Sequence, residues 1–199
     1  VVDALRAVNL LLDALYRYAG DLAKTHSRVP GIDAPTLVVG RIEGGINTNV
    51  VPDRISLKLD RRVIPEENAI DAEYALRAAI ERTALASPGT TIEVRRLLRA
   101  KALAPLPGHE ALVSALQRHA RHILGEDIPA RGTPLYTDAR LYGERGVPTV
   151  LYGAGPRTLL ESNAKRADEN LVLEDLRKAT KVVACALHDL LQQVPERRR

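Results

Sequence analysis

The chain contains no Met, Phe or Trp, six Tyr and a single Cys, so aromatic side chains make up only 3% of its 199 residues. With so few rings to stack bases on, and a formal charge of only +4 drawn partly from the Arg197-Arg198-Arg199 end, a nucleic-acid partner is not expected. One cysteine excludes an internal disulfide, and Cys185 lies in an apolar helical stripe that predicts a buried thiol. No apolar run reaches membrane-spanning length and Val1 opens no signal-peptide pattern, so the expectation is a soluble, cytoplasmic protein without a membrane partner.

What is present suffices for a core: 45% of the residues are hydrophobic. Val2, Leu5, Val8, Leu12 and Leu15 recur at helical spacing and predict a long amphipathic helix to about Lys24, stopped before Pro30 and Gly31. His26 follows in a polar loop and reads as solvated. Leu37, Val39 and Arg41 alternate with Val38, Gly40 and Ile42, and Ile55, Leu57 and Leu59 alternate with Ser56, Lys58 and Asp60, which predicts two strands. Gly44, Gly45, Asn47 and Asn49 between them suit a hairpin connection. A second helix is expected to open at Pro65 and Glu66, to bury Ala72, Leu76, Ile80 and Thr83, and to stop at Ser87-Pro88-Gly89. Residues 91–97 predict a third strand with Ile92 and Val94 on one face.

Helix, strand, strand, helix, strand is the order of a split β-α-β unit without its first strand. That places the missing strand upstream of Val1 and leaves an exposed sheet edge. The prolines and glycine of residues 103–108 predict a linker between a domain at 1–102 and a second one at 109–199. In the second, residues 110–123 predict a helix with Leu112, Leu116 and Ile123 inward, residues 147–152 a strand buried on both faces, and residues 173–191 a helix packing through Leu176, Thr180, Val183, Leu187 and Leu190. His119 and His122 fall three apart on one helix, a spacing open to a metal, but with no third ligand an exposed basic edge is the better reading.

Arg62, at the end of a strand reading Asp60-Arg61-Arg62 before Pro65, is not explained by a plain meander. Gly44-Gly45, Asn49-Val50-Val51-Pro52 and Asp60-Arg61-Arg62-Val63-Ile64-Pro65, with Asn49 and Arg62 thirteen residues apart, resemble the GG, NxxP and DxRxxP signature in the lid domain of one family. It is the dimetal metallopeptidase and amidohydrolase group of aminoacylase, acetylornithine deacetylase, succinyl-diaminopimelate desuccinylase and glutamate carboxypeptidase. The later motifs resemble the C-terminal return of that family's catalytic domain: Gly132-Thr133, Thr137-Asp138-Ala139-Arg140, Gly153-Ala154-Gly155-Pro156, and residues 164–169 ending in Asp168-Glu169. Taken singly, each has a plain structural explanation: Asp138 as a helix cap, Gly153 and Gly155 as a turn, Asp168 and Glu169 as first-turn acids. Their common order favours the family.

The resemblance implies an α+β lid domain, an antiparallel sheet with two helices on one face, followed by an α/β segment of a zinc-exopeptidase-like catalytic domain. It implies a homodimer through the lid and a hydrolase that cleaves the amide bond of an N-acyl amino acid or small peptide with a free carboxylate. Arg62 would bind that carboxylate and Asn49 the substrate or developing oxyanion, while Asp138, Arg140 and Gly155 would line or brace the pocket. The family's chemistry uses two metal ions, zinc or cobalt, whose ligands almost all precede the lid. The one ligand His expected downstream, three residues before Asp168, is here Lys165, whose ammonium has no lone pair to donate. The expectation is therefore that this chain holds no metal of its own and is inactive by itself, as a portion of such an enzyme. The alternative is a non-catalytic dimerisation or interaction module derived from the same family.

Overall fold

The computed structural model describes residues 2–155 and 160–192, which divide into two compact units. The first holds the residues up to Leu103 together with Arg131–Tyr136, and the second holds Ala104–Ala130 and the residues from Thr137 on. The fold is α+β, with one two-stranded antiparallel sheet and five helices among the described residues.

In the first unit α1 (Ala4–Leu22) starts where Asp3 accepts the Leu5 N–H at 2.9 Å, and it buries Ala4, Ala7, Val8, Leu11 and Leu15. These positions recur every three or four residues, which puts them on one face. Strands β1 (Thr36–Gly44) and β2 (Ile55–Arg62) pair from Thr36 opposite Arg62 to Gly44 opposite Ile55. The simple alternation expected of β1 is broken at Gly40, where the register shifts between Val39 and Arg41. One extra residue in a strand inverts the facing of those that follow. Ile42 therefore lies opposite inward Leu57, and Arg41 opposite outward Lys58. At the turn Gly45 holds φ +82°, a conformation that L side chains rarely adopt.

The second helix starts later than expected. α2 spans Ala69–Leu85 and is capped by Asn68, whose side chain accepts the Ile70 N–H at 2.8 Å. Pro65, Glu66 and Glu67 instead form a turn closed by the Glu67 N–H on the Ile64 carbonyl. An asparagine cap satisfies an otherwise orphaned amide, which neither proline nor glutamate at position 65 or 66 does here. The predicted inward residues Ala72, Ile80 and Thr83 are buried. Leu11, Leu15, Leu37 and Ile80 form the centre of this core, with Leu57, Leu59 and Leu76 packed around them.

Residues 91–97 are not a ladder strand among the described residues. Ile92 and Val94 still pack against the core, as their alternation predicted. Apolar periodicity fixes which side chains turn inward, whereas a strand also needs a neighbouring backbone to bond.

In the second unit α3 (His109–Leu124), the short α4 (Ala139–Gly143) and α5 (Leu173–Gln192) carry the structure. α3 and α5 pack together, with Ala115 and Ala120 of α3 and Ala179, Val182 and Ala186 of α5 buried. The stripe expected to pack α5 is therefore the wrong one: Leu176, Val183 and Leu187 are exposed. Small residues let two helix backbones approach closely, so the alanine stripe one position round the helix takes the contact. The same rotation exposes Cys185, contrary to the buried thiol expected. Residues 147–152 form no strand and are not buried on both faces, since Val147 and Leu151 are exposed. No described segment bonds to their backbone as a ladder partner.

Candidate functional site at the end of the hairpin

The two arginines that end β2 serve opposite faces, because side-chain direction in a strand alternates. Arg61 continues the inward row of Ile55, Leu57 and Leu59, and its side chain is only 8% exposed. Its Nη2 donates to Glu67 Oε1 at 2.5 Å and its Nη1 to Glu67 Oε2 at 3.3 Å. Burial pulls the Arg61 pKa down, but hydrogen bonds with Glu67 and Tyr18 outweigh it and leave the value raised. A cation held this way remains charged.

Arg62 points outward and is half exposed, at 52%. Its Nε donates to Asp60 Oδ2 at 3.1 Å and its Nη1 to the Pro134 carbonyl at 3.1 Å. Pro134 arrives from far along the chain because the Gly132 N–H donates to the Pro30 carbonyl at 2.7 Å. Gly31 allows that approach: at φ +93° a Cβ there would run into the Gly132 carbonyl. Glu66 ties down the same corner, accepting from the Ser27 hydroxyl at 3.0 Å and the Arg28 N–H at 2.7 Å. The Arg28 amide is the first cause holding the Glu66 carboxyl below its ordinary value. Three chain segments, 27–32, 60–67 and 131–134, thus meet around Arg62, with two carbonyl or carboxylate acceptors already on its guanidinium.

Asn49 is not part of that corner. It lies on the loop beyond Ile55, at the opposite end of an eight-residue strand, and seven steps of about 3.3 Å separate the two strand ends by roughly 23 Å. The remaining candidates belong to the second unit. Asp138 stands at the N-cap of α4 but makes no side-chain cap bond, so the plain capping explanation does not hold. Arg140 is mostly buried, with Nη1 3.6 Å from Glu144 Oε1. Gly155 is exposed, and Pro156 lies outside the described residues.

Lys165 occupies a loop at φ +65°, and its backbone N–H donates to Glu169 Oε2 at 2.9 Å. Asp168 accepts from Asn163 Nδ2 at 3.0 Å. Asp168 and Glu169 thus organise this loop; the first-turn acids of α5 are Glu174 and Asp175. Among the described residues no three His, Cys, Asp or Glu side chains come together as a metal-holding group. His119 is engaged elsewhere, its Nε2 2.7 Å from Asp189 Oδ2, which also accepts from Arg118 at 2.6 Å. His26 Nδ1 lies 3.0 Å from Asp33 Oδ1.

Sequence reading missed Arg61, Glu66 and Glu67. The signal was available for Arg61, whose parity with Leu57 and Leu59 turns it inward. Nothing local indicated that the two acids after Pro65 would bond backward to residues 27, 28, 61 and 64.

Two helices over one face of an antiparallel hairpin, closed by this arginine corner, define a lid-type α+β domain. Residues 1–88 match the family model described as M20_dimer, peptidase dimerisation domain. Solved structures of similar fold agree. They include the di-peptidase Dug1p from Saccharomyces cerevisiae, at TM-score 0.63 and 15% identity, with 81% of this chain covered and 34% of that one. They also include an amidase of the hydantoinase/carbamoylase family from Burkholderia multivorans, at 0.60 and 19%, covering 94% and 41%. A third is the YXEP protein of Bacillus subtilis, a dinuclear metal binding peptidase of the M20 family, at 0.62 and 17%, covering 97% and 48%. The chain thus spans a third to a half of the length of these structures. The resemblance to the metallopeptidase and amidohydrolase group, and its lid domain, is borne out. No described helix is long and apolar enough to cross a membrane.

Proposed function

We propose that this chain supplies the lid and the C-terminal part of the catalytic domain of a metal-dependent amidohydrolase or exopeptidase. Its substrate would be an N-acyl amino acid or small peptide with a free carboxylate. The observation that carries this reading is the match of residues 1–88 to a peptidase dimerisation domain, within which β2 ends in an outward Arg62 whose guanidinium suits bidentate carboxylate binding. Asn49 lies too far from Arg62 for one small substrate to touch both within one chain. A second copy, presenting its own hairpin loop, resolves this and gives the dimer a role at the site. The free edge of β1 is the surface for that pairing: Leu12, Tyr16, Val39 and Ile42 line a groove of about 380 Å³ beside it, and an unpaired strand edge is a template for a second strand.

The residues present do not fit two zinc or cobalt ions. Lys165 stands where a ligand histidine is expected, and no described acidic or histidine cluster replaces it. No catalytic step is therefore assigned to this chain alone, and Asp138, Arg140 and Gly155 are proposed only to line or brace a pocket. The experiment is to measure metal content and hydrolysis of N-acetyl amino acids with zinc or cobalt, together with mass by light scattering. A dimer without hydrolysis is expected; turnover by the chain itself would overturn its inactivity. Lys165 also favours a second reading, a non-catalytic dimerisation module, under which Arg62→Ala would leave every binding property unchanged.

A further inference from the structure

Packing alone does not explain why β2 ends its inward row on a charge. Ile55, Leu57 and Leu59 are followed at the next inward position by Arg61, whose side chain is 8% exposed. An aliphatic residue there would continue the row. Arg61 instead takes a guanidinium out of water, and its Nε is buried with no hydrogen-bond partner among the described residues. A buried donor left unbonded is unfavourable. A buried ion pair is also often matched or bettered in stability by apolar residues of similar volume. Stability is therefore a weak reason for the pair that Arg61 forms with Glu67.

The contacts of the pair supply a better one. Besides its bonds to Glu67, Arg61 donates through Nη1 to the carbonyl of Arg62, so it grips the main chain of the residue that follows it. Glu67 accepts the Ile64 N–H on Oε2 at 3.0 Å, and its own N–H donates to the Ile64 carbonyl at 3.0 Å. One guanidinium and one carboxylate thus close the chain from residue 61 to residue 67 on itself. The ladder with β1 ends where Thr36 stands opposite Arg62, so beyond that point these side chains hold the main chain that the sheet no longer does. Arg62 faces outward only while this strand end keeps its parity. Its reach to Asp60 and to the Pro134 carbonyl depends on the same backbone.

We infer that Arg61 and Glu67 are positioning residues for Arg62: from the opposite face of the strand, the buried pair fixes the Arg62 carbonyl and the turn after it, and so sets where the outward guanidinium stands. Neither residue touches the substrate. The inference rests on the reading of Arg62 as the group that binds a substrate carboxylate. It requires an arginine at position 61, because a lysine offers a point charge in place of a rigid fork.

The test replaces both partners, since removing one leaves a buried charge unpaired and strongly destabilises the fold. Arg61→Met/Glu67→Leu keeps the volume and removes the grip. The full chain carrying isotopically labelled arginine is followed by NMR at the Arg62 Nε–H resonance, assigned with Arg62→Lys, beside thermal unfolding. The double variant is expected to unfold at or above the temperature of the parent, while its Arg62 resonance moves to the position and mobility of a free arginine side chain. A lowered unfolding temperature assigns the pair to stability and overturns the inference, as does an unchanged Arg62 resonance. In a second arm, N-acetyl-L-alanine and its C-terminal amide are titrated into both forms. The acid, not the amide, is expected to shift the parent's Arg62 resonance and to bind the double variant about tenfold more weakly. Equal affinity of the two forms for the acid overturns the positioning role. If the acid leaves Arg62 of the parent unmoved, the carboxylate reading fails, and the positioning role is still decided by the resonance and the unfolding temperature of the first arm.

Discussion

The two units solve the same packing problem with different side chains. In the first, Leu11, Leu15, Leu37 and Ile80 are buried where α1, α2 and the hairpin meet. In the second, the buried positions of α3 and α5 are Ala115, Ala120, Ala179, Val182 and Ala186, while Leu173, Leu176, Val183, Leu187 and Leu191 are exposed on α5. A sheet covered by two helices encloses a volume that large aliphatic side chains can fill, whereas two helices in contact enclose only a seam. A seam favours small residues and leaves α5 with a second apolar stripe exposed. Stability should therefore rest on volume in the first unit and on close approach in the second.

The largest expected effect is from Leu15→Ala, which opens a cavity in the first core and should cost about 3 kcal/mol. Hydrogen exchange resolved by peptide is the readout, with protection lost over α1, β1 and β2. If α3 and α5 lose protection to the same extent, the two units do not differ as described. The complementary change is Ala120→Leu, which forces volume into the helix seam and should destabilise α3 and α5 by about 2 kcal/mol. A neutral result would mean that the seam is loose and the alanines are incidental.

A third test uses pH. The hydrogen bond from His119, and then the charge of Arg118, hold the Asp189 carboxyl below its ordinary value. Because the folded pKa is the lower one, this contact contributes fully above the unfolded carboxylate value of about 3.9 and is lost as pH falls through the folded value. Helix content followed by circular dichroism should show an acid loss between α3 and α5 that Asp189→Asn lacks. An identical acid transition in the variant would remove Asp189 from the account. The smallest effect is expected of Leu187→Ala: on the exposed stripe of α5 it should shift stability by less than about 0.5 kcal/mol. A larger loss in calorimetry would show that this stripe is covered in solution.

Much of this was legible in the sequence, and the failures share one cause. The α1 helix, the hairpin, the inward set Ala72, Ile80 and Thr83, and the inward turn of Ile92 and Val94 follow from local spacing alone; the α1 stripe was right at Val8 and Leu15 but not at Val2 and Leu5, which are exposed while Ala4, Ala7 and Leu11 take the buried face. Arg62 stood out because a guanidinium at a strand end has no local explanation. What local spacing could not decide is any choice between equally good alternatives. α5 carries two apolar stripes, so its facing depended on the alanines of α3. Residues 91–97 and 147–152 have strand composition but no described ladder partner. Glu66 and Glu67 look like helix-opening acids until residues 27, 28 and 61 are brought beside them.

Residue type at fixed spacing was therefore enough for the order helix, strand, strand, helix in the first unit and for the signature around Asn49 and Arg62. Only the tertiary structure decided that Asn49 and Arg62 stand at opposite ends of the hairpin, and that Arg62 is drawn to Pro134. Those are distances between residues far apart along the chain, and side-chain chemistry does not set them until the backbone has been folded around a core.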